Sequence, residues 1–476
     1  MAVWILLSGL DDLFISVVYF LTRRRRFPWP SQAQMDGKAE RRIAIFVPLW
    51  REHRVIAQML EHNLAAIRYT NYHVFVGVYP NDEPTIRAVT DQARLHPRVH
   101  LAMCPNDGPT SKGDCLNAIY ARMQDYEQQE GGRFRVVVVH DAEDVVHPDS
   151  LRLINWFSRR YAMVQVPVLP LSTPLRECTH GLYCDEFAEY QQKDIPVRQY
   201  LGGFLPSNGV GTGFERSALE RLADTRHGRV FDPACLTEDY ENGYQLHTLG
   251  YKQIFVPVQM DAAGPVATRE YFPRNLRASV AQRSRWVAGI ALQSWQQHGW
   301  NVPMRQVYWF WRDRKGLVGN LLSPIANVIL LYVLVSYLCH LGRPGVWHFG
   351  AQIPSWLQMD CKATSLIALI QAGVRTQASA RIYGWRFASA VPVRMFWGNL
   401  VNFAATAAAL SDFGKARWKG RGMAWRKTEH MYPAPQLCLR PASFSGFTMD
   451  GVQLRQVVLN HQILSVSSTS AVRESY

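Results

Sequence analysis

Two apolar zones bracket a middle stretch of near-average composition. They cover residues 3–21 and the chain from residue 317 onward, and residues 317–340 contain no Asp, Glu, Lys or Arg. At about 1.5 Å per residue, a helix of that length spans a bilayer core of roughly 30 Å. The pattern predicts a soluble domain placed between membrane segments.

The first apolar zone predicts an N-terminal membrane segment over residues 1–22. It carries Asp11 and Asp12, each costing roughly 2.5–3.5 kcal/mol at a bilayer centre. We therefore expect both carboxylates to face protein or water. The alternative is a segment that lies along the membrane interface.

The second apolar zone predicts several elements. Residues 301–316 mix aromatic and cationic side chains, which is typical of an interfacial segment. Residues 317–411 are predicted to form transmembrane or interfacial helices, and residues 412–476 a cytoplasmic tail. The uncharged run before Arg375 is short, so it spans a membrane only if Arg375 extends its charge to the interface.

The middle of the chain alternates between strand and helix patterns. β-branched runs at residues 43–47, 74–78 and 136–139 predict strands, and residues 54–66 predict a helix. This alternation predicts an α/β domain over residues 41–300, with a mostly parallel central sheet and the ligand site at the carboxyl ends of the strands.

Charge and cysteine content narrow the class of protein. The net charge is +14 over 476 residues, which alone fits nucleic acid, an anionic membrane surface or an acidic substrate. Arginines 23–26 and the cations after residue 411 instead follow the apolar zones, as the positive-inside rule expects. No nucleic-acid-binding signature accompanies the charge, so we predict no nucleic-acid partner. The eight scattered cysteines form no zinc pattern.

An acidic motif follows the third predicted strand. It contains Asp141, Glu143 and Asp144, and carboxylate oxygens at this spacing suit a hard divalent cation that holds a diphosphate. The alternatives are a solvated acidic turn or a helix N-terminus capped by Asp149.

Two further motifs come later in the chain. Glu238 and Asp239 follow Thr237 just before a predicted helix, so the alternative to a functional role is ordinary helix capping. Gln282, Arg285 and Trp286 offer polar donors beside an indole face, which can hold phosphate oxygens and stack against a sugar. Their alternative is an amphipathic helix at the membrane surface.

The order of these motifs before a transmembrane helix resembles the processive-type family-2 glycosyltransferases, over about residues 43–341. Residues 8–14, 140–144, 267–273 and 425–430 look like the bacteriophage adsorption protein B group of bacterial inner-membrane glycosyltransferases linked to exopolysaccharide production. Against the wider family, Glu143 replaces the usual second aspartate of the metal motif. Asp144 could share or take over that role.

The resemblance implies a GT-A-type fold, flanked by transmembrane helices, and an inverting transfer from a UDP-sugar. Asp239 would be the general base, and Mg or Mn would bind Asp141, Glu143 and Asp144. The resemblance assigns binding of the donor to Pro48, Glu52, Asp82, Lys112 and Asp114. It assigns contact with the acceptor and the pyrophosphate to Glu238, Gln282, Arg285 and Trp286. The acceptor would be a growing polysaccharide or a lipid-linked molecule, with an outer-membrane or periplasmic export partner. The catalytic domain would be cytoplasmic, on a multi-pass inner-membrane protein.

Two other classes of protein stay open at this point. One is a catalytically idle membrane receptor or scaffold for export or phage adsorption, against which the retained acids argue. The other is a nucleotidyltransferase that uses the same cation chemistry, against which the Gln282 to Trp286 motif argues.

Overall fold

The computed structural model of the chain describes residues 1–25, 27–261, 264–342, 354–420 and 431–433. Residues 425–430, which carry one of the motifs quoted above, lie outside this part of the chain. So does most of the predicted tail 412–476.

The central sheet has seven strands in the order β3-β2-β1-β4-β7-β5-β8. Two smaller sheets pair β6 with β11 and β9 with β10. The strands are β1 Ile43–Pro48, β2 Tyr72–Val78, β3 Val99–Met103, β4 Val136–Val139, β5 Met163–Gln165, β6 Val168–Pro170, β7 Thr212–Glu215, β8 Gln253–Phe255, β9 Met260–Asp261, β10 Gly264–Pro265 and β11 Thr268–Glu270.

Helices cover both faces of the sheet and continue beyond it. They are α1 Ala2–Thr22, α2 Gln32–Asp36, α3 Ile56–Ala66, α4 Glu83–Leu95, α5 Lys112–Glu130, α6 Ser150–Phe157, α7 Cys178–Glu189, α8 Ile195–Tyr200, α9 Arg216–Thr225, α10 Glu238–Thr248, α11 Leu276–Trp286, α12 Ser294–His298, α13 Met304–Arg314, α14 Gly316–Gly342, α15 Ser355–Tyr383, α16 Trp385–Ala388 and α17 Val391–Trp418. π-Helical turns at Tyr190–Asp194 and Val287–Gln293 join α7 to α8 and α11 to α12.

The sheet is mostly parallel, as predicted. β1 pairs in parallel with β2 and β4, and β2 with β3, whereas β7 runs antiparallel between β4 and β5. The four valines of β4 are all buried, because this central strand is covered on both faces. The predicted α/β class is therefore confirmed, and the carboxyl ends of β1, β2 and β4 lie at one edge.

Two helices of the described residues are long and apolar enough to cross a membrane. They are α1 and the stretch Met304–Gly342 that joins α13 to α14. α1 buries one face, which includes Asp11, and exposes apolar side chains on the other. Most apolar side chains of α14 are exposed. Length and composition thus suggest a membrane protein with two candidate spans.

Helix α15 contains the uncharged run before Arg375. Buried ion pairs attach α15 and α17 to α7 and to the turn after it. Arg375 Nε lies 2.5 Å from Glu189 Oε2, and Lys193 Nζ lies 2.6 Å from Glu189 Oε1. Arg394 Nε lies 2.6 Å from Asp185 Oδ2, with both side chains almost fully buried. The charge of Arg375, whose extension to an interface was the condition for this run to span a membrane, is thus paired with Glu189 within the protein.

Candidate active site

The loop after β1 forms one wall of a cavity of about 1080 Å³. Pro48 and Glu52 line it. Asp82, predicted beside them, lies behind this wall: its Oδ2 accepts a hydrogen bond from the backbone N–H of Arg51 at 2.5 Å, where the backbone has φ of 56°. Asp82 thus shapes the loop that carries Glu52 rather than lining the cavity.

The first turn of α5 supplies the next side chains. Ser111 caps this helix by accepting a hydrogen bond from the backbone N–H of Asp114 at 3.2 Å. The cap fixes the turn so that Lys112 and Asp114 both line the cavity. Helix N-termini of this kind favour anionic ligands.

Lys112 is the cation at the centre of the cavity. Its Nζ lies 2.7 Å from Asp141 Oδ1 and 3.4 Å from the carbonyl oxygen of Gly209. Burial by itself lowers the pKa of Lys112, but the charges of Asp141, Glu238 and Asp239 outweigh burial and raise it. Lys112 therefore stays charged at the point where the acidic motifs meet.

The acidic motif after β4 divides into two kinds of carboxylate. Asp141 and Glu143 line the cavity. Asp144 is fully buried beneath the turn, where its Oδ2 lies 2.7 Å from His140 Nδ1 and accepts the backbone N–H of Asp141 at 3.1 Å. The structure therefore places Asp144 as a support for the turn, outside the cavity to which it was predicted to contribute.

Glu270 is a further carboxylate of the cavity, and sequence reasoning assigned it no role. The parallel pairing of β11 with β6 places it beside the acidic turn. It shares a hydrogen bond with Glu143. Burial, followed by the charges of Asp144 and Asp141, raises the pKa of Glu270 well above its usual range. In the sequence, Glu270 stood out only as part of the motif at residues 267–273. That motif indicated a family resemblance but no chemical role for Glu270.

Asp141, Glu143 and Glu270 all line the cavity and offer carboxylate oxygens to it. The oxygens of the three side chains are the ligands that Mg and Mn prefer. By ligand type these donors suit the predicted Mg or Mn, and Glu270 lines the cavity beside Asp141 and Glu143, whereas the predicted Asp144 does not.

Glu238 and Asp239 occupy the first turn of α10. Thr237, at the N-cap position, makes no capping hydrogen bond through its side chain, although both acids lie in the first turn, as the capping alternative expects. Burial and the adjacent Asp239 charge raise the pKa of Glu238 to about 8. Burial also raises the pKa of Asp239, although Lys112 opposes the shift. Both carboxyls line the cavity and hold protons more tightly than exposed acids do.

The glycine-rich loop before β7 lies against Asp239. Gly209 has φ of 76°, a conformation that favours glycine. A Cβ atom built on Gly209 would lie only 2.7 Å from Asp239 Oδ2. The loop therefore approaches this carboxylate as closely as a residue without a side chain permits.

Helix α11 closes the opposite side of the cavity with Gln282, Arg285 and Trp286. The Trp286 ring meets those of Tyr183 and Phe272 at 6.1 and 6.4 Å between centroids, in edge-to-face geometry. Burial lowers the pKa of Arg285. Helix α11 packs against α17.

A separate cluster, formed by His147, Asp149 and Asp261, could also hold a cation by distance alone. Its ligand atoms lie within 4.8 Å of one another. Asp149 pairs with Arg68 at 3.3 Å and with Arg152 at 3.0 Å, just as Asp141 of the cavity pairs with Lys112. The cluster lies outside the cavity, so it does not replace the donor set described above.

The sequence that surrounds this cavity matches a known protein family. The family model described as glycosyltransferase like family 2 matches residues 40–289, more than half of the chain. The chain therefore belongs to this family, which confirms the expected class of enzyme and its GT-A-like fold.

Among individual proteins, the chain is similar to bacteriophage adsorption protein B of Escherichia coli strain K12 and to bacteriophage N4 adsorption protein B of Escherichia coli O157:H7. Each is 35% identical over 490 residues, which cover 98% of this chain and 64% of the relative. The chain thus spans less than two thirds of the length of these relatives.

Two solved structures overlap with the fold more distantly. The mannosyltransferase PcManGT from Pyrobaculum calidifontis, in complex with GDP-Man and Mn2+, is 16% identical with a TM-score of 0.49, covering 87% of this chain and 99% of its own. Glucosyl-3-phosphoglycerate synthase from Mycobacterium tuberculosis, in complex with Mn2+, UDP-Glc and phosphoglyceric acid, is 13% identical with a TM-score of 0.32, covering 56% and 85%. Overlaps at this level carry no inference about function.

Proposed function

We propose that the chain is a metal-dependent, inverting glycosyltransferase that moves a sugar from a UDP-sugar to a growing polysaccharide or a lipid-linked acceptor. The observation that carries the proposal is the meeting of three separate motifs in one cavity. Acids after β4, the first turn of α10 and the donors of α11 surround the same space. Such an arrangement suits a charged donor and a neutral nucleophile.

Asp239 is the proposed general base. One of its oxygens, Oδ1, accepts the backbone N–H of Tyr240 at 2.8 Å, while Oδ2 faces Gly209. Oδ2 takes the proton of the acceptor hydroxyl as that oxygen attacks the anomeric carbon. The bond from this carbon to the diphosphate breaks in the same displacement, which inverts the configuration. The raised pKa of Asp239 makes it a stronger base than an exposed aspartate.

Charge on the leaving diphosphate needs positive partners. Lys112 and Arg285 are cations that line the cavity and bind phosphate oxygens, and the Trp286 face supports the sugar. A divalent cation, Mg or Mn, held by Asp141 and Glu143 would neutralise the same charge. Pro48, Glu52 and Asp114 line the part of the cavity proposed for the uridine.

The proposed location is the inner membrane of a bacterium, with several membrane passes and a cytoplasmic catalytic domain. The candidate spans α1 and Met304–Gly342 support attachment to a membrane. Cations after α1 and at the end of α17 support the cytoplasmic orientation. The proposed role is exopolysaccharide synthesis with an export partner in the periplasm or outer membrane, which is what the resemblance of the sequence motifs to the adsorption protein B group implies.

The test is a screen of UDP-sugars with membranes that contain the protein, with Mn2+ or Mg2+ added or chelated. We expect one UDP-sugar to release UDP in a metal-dependent reaction and to add a sugar mass to the product. Transfer of a nucleotide mass would instead identify a nucleotidyltransferase. A background rate that is independent of metal for every sugar would favour the second candidate, an idle receptor or scaffold, which the names of the relatives support.

A further inference from the structure

Asp313, on α13, joins three elements next to the proposed base. Its Oδ2 accepts a hydrogen bond from the Tyr240 hydroxyl of α10 at 2.7 Å. Its two oxygens also receive the guanidinium of Arg198, on α8, at 2.8 and 3.0 Å. Tyr240 and Arg198 are buried, so these charge-assisted bonds are held away from competing water.

Tyr240 transmits this anchoring to Asp239. The backbone N–H of Tyr240 holds Asp239 Oδ1 at 2.8 Å, while its hydroxyl is fixed on Asp313. One residue therefore connects α13 to the carboxylate through both its backbone and its side chain.

Arg198 connects the same cluster to the glycine-rich loop on the other side of the base. Its Nε donates to the carbonyl oxygen of Phe204 at 2.7 Å, and its guanidinium lies 4.1 Å from the centroid of the Phe204 ring. The Phe204 ring meets that of Tyr240 edge to face at 5.4 Å. The chain then runs to Gly209, which faces Asp239 Oδ2. Segments that contact Arg198 and Asp313 thus approach both oxygens of the base.

The aspartate pair of α1 braces α13 from the opposite side. Lys315, at the end of α13, lies 2.7 Å from Asp11 and 2.8 Å from Asp12. Arg312 contacts the same two carboxylates and lies 2.6 Å from Asp194. The pair singled out in the sequence therefore faces protein and neutralises the two cations that flank Asp313 along α13.

We propose that Asp313 is a positioning residue for the general base, acting through Tyr240, and that α1 braces the helix carrying it. The proposal rests on the proposed role of Asp239. It goes beyond that role, because it assigns a catalytic consequence to contacts between the candidate membrane spans and the cavity. A purely structural role for the cluster would change protein stability without changing the catalytic rate constant of the folded enzyme.

The test compares Tyr240→Phe with Tyr244→Phe in the full chain in membranes. Tyr244 lies one turn later on α10 and packs on the same Phe204 ring at 5.2 Å, but it makes no contact with Asp313 among the hydrogen bonds of the described residues. We expect Tyr240→Phe to lower kcat about tenfold, because small displacements of a base are costly. The KM for the UDP-sugar and the thermal unfolding temperature should match those of Tyr244→Phe, which keeps normal kcat. Asp313→Asn should also lower kcat more than it raises KM.

Equal kcat in Tyr240→Phe and Tyr244→Phe overturns the positioning role, whether or not Asp313→Asn folds. If the wild-type chain transfers sugar and Asp239→Asn does not, the equal kcat values overturn the positioning role alone and leave the proposed base standing. If Asp239→Asn transfers sugar normally, the proposed base fails, and the positioning role fails with it.

Discussion

Replacing Gly209 by alanine should damage catalysis more than stability. The added Cβ would lie 2.7 Å from Asp239 Oδ2, about 0.7 Å short of the 3.4 Å at which ordinary contact begins. Asp239 Oδ1 is held by a backbone N–H, so the carboxylate must turn away from the loop. A misplacement of about 1 Å costs on the order of a hundredfold in rate. We therefore expect kcat to fall roughly thirtyfold.

The matched control is Gly228→Ala. Gly228 has φ of 85°, and a Cβ there would meet nothing within 4 Å. Both variants force alanine into a left-handed conformation, which costs about 1–2 kcal/mol of unfolding free energy. Steady-state kinetics and thermal unfolding measured side by side separate the two effects. Equal kcat values for Gly209→Ala and Gly228→Ala would refute the close approach of the loop to a working base.

Three further predictions concern the pH dependence of the proposed base, the proposed metal site and the buried ion pair between α7 and α17. Burial raises the pKa of Asp239 above its usual value of 3.8, and the base must be deprotonated to act. We therefore expect kcat to fall as the pH falls through that raised pKa. A pH profile in which kcat falls only at or below pH 3.8 contradicts this. Glu270→Gln should weaken Mn2+ binding about tenfold or more in a titration followed by electron paramagnetic resonance, and an unchanged Kd removes Glu270 from the metal site. Arg394→Met should lower the unfolding free energy by about 3–5 kcal/mol, because it leaves Asp185 buried without its cation. The double variant Asp185→Asn with Arg394→Met should lose less unfolding free energy than Arg394→Met alone. Equal losses of unfolding free energy in the two variants refute the argument.

The strands that sequence patterns predicted are those buried on both faces. β1, β2 and β4 are runs of β-branched and apolar residues, and their predicted bounds agree with the structure to within two residues. β3 and β7 were missed because His100 interrupts the first and Gly213 lies within the second. Neither short strand shows the continuous apolar run that identified the others.

The sequence predicted those residues of the candidate site that come directly after a strand. Asp141 and Glu143 come directly after β4 and line the cavity, but Asp144, one position later, turns inward to His140. The direction of a side chain in a turn depends on the backbone conformation, which the motif does not specify. Glu270 reaches the cavity through the pairing of β11 with β6, and no local pattern encodes a pairing across about a hundred residues.

The most direct test of the account measures donor affinity and turnover together in Asp239→Asn, with the exposed Asp224→Asn as control. The change keeps the shape of the side chain and removes its ability to accept a proton. We expect kcat for sugar transfer to fall about 10²–10⁴-fold, while the UDP-sugar and metal bind as in the control. Turnover within a few fold of the control, with the donor bound normally, would contradict Asp239 as the general base.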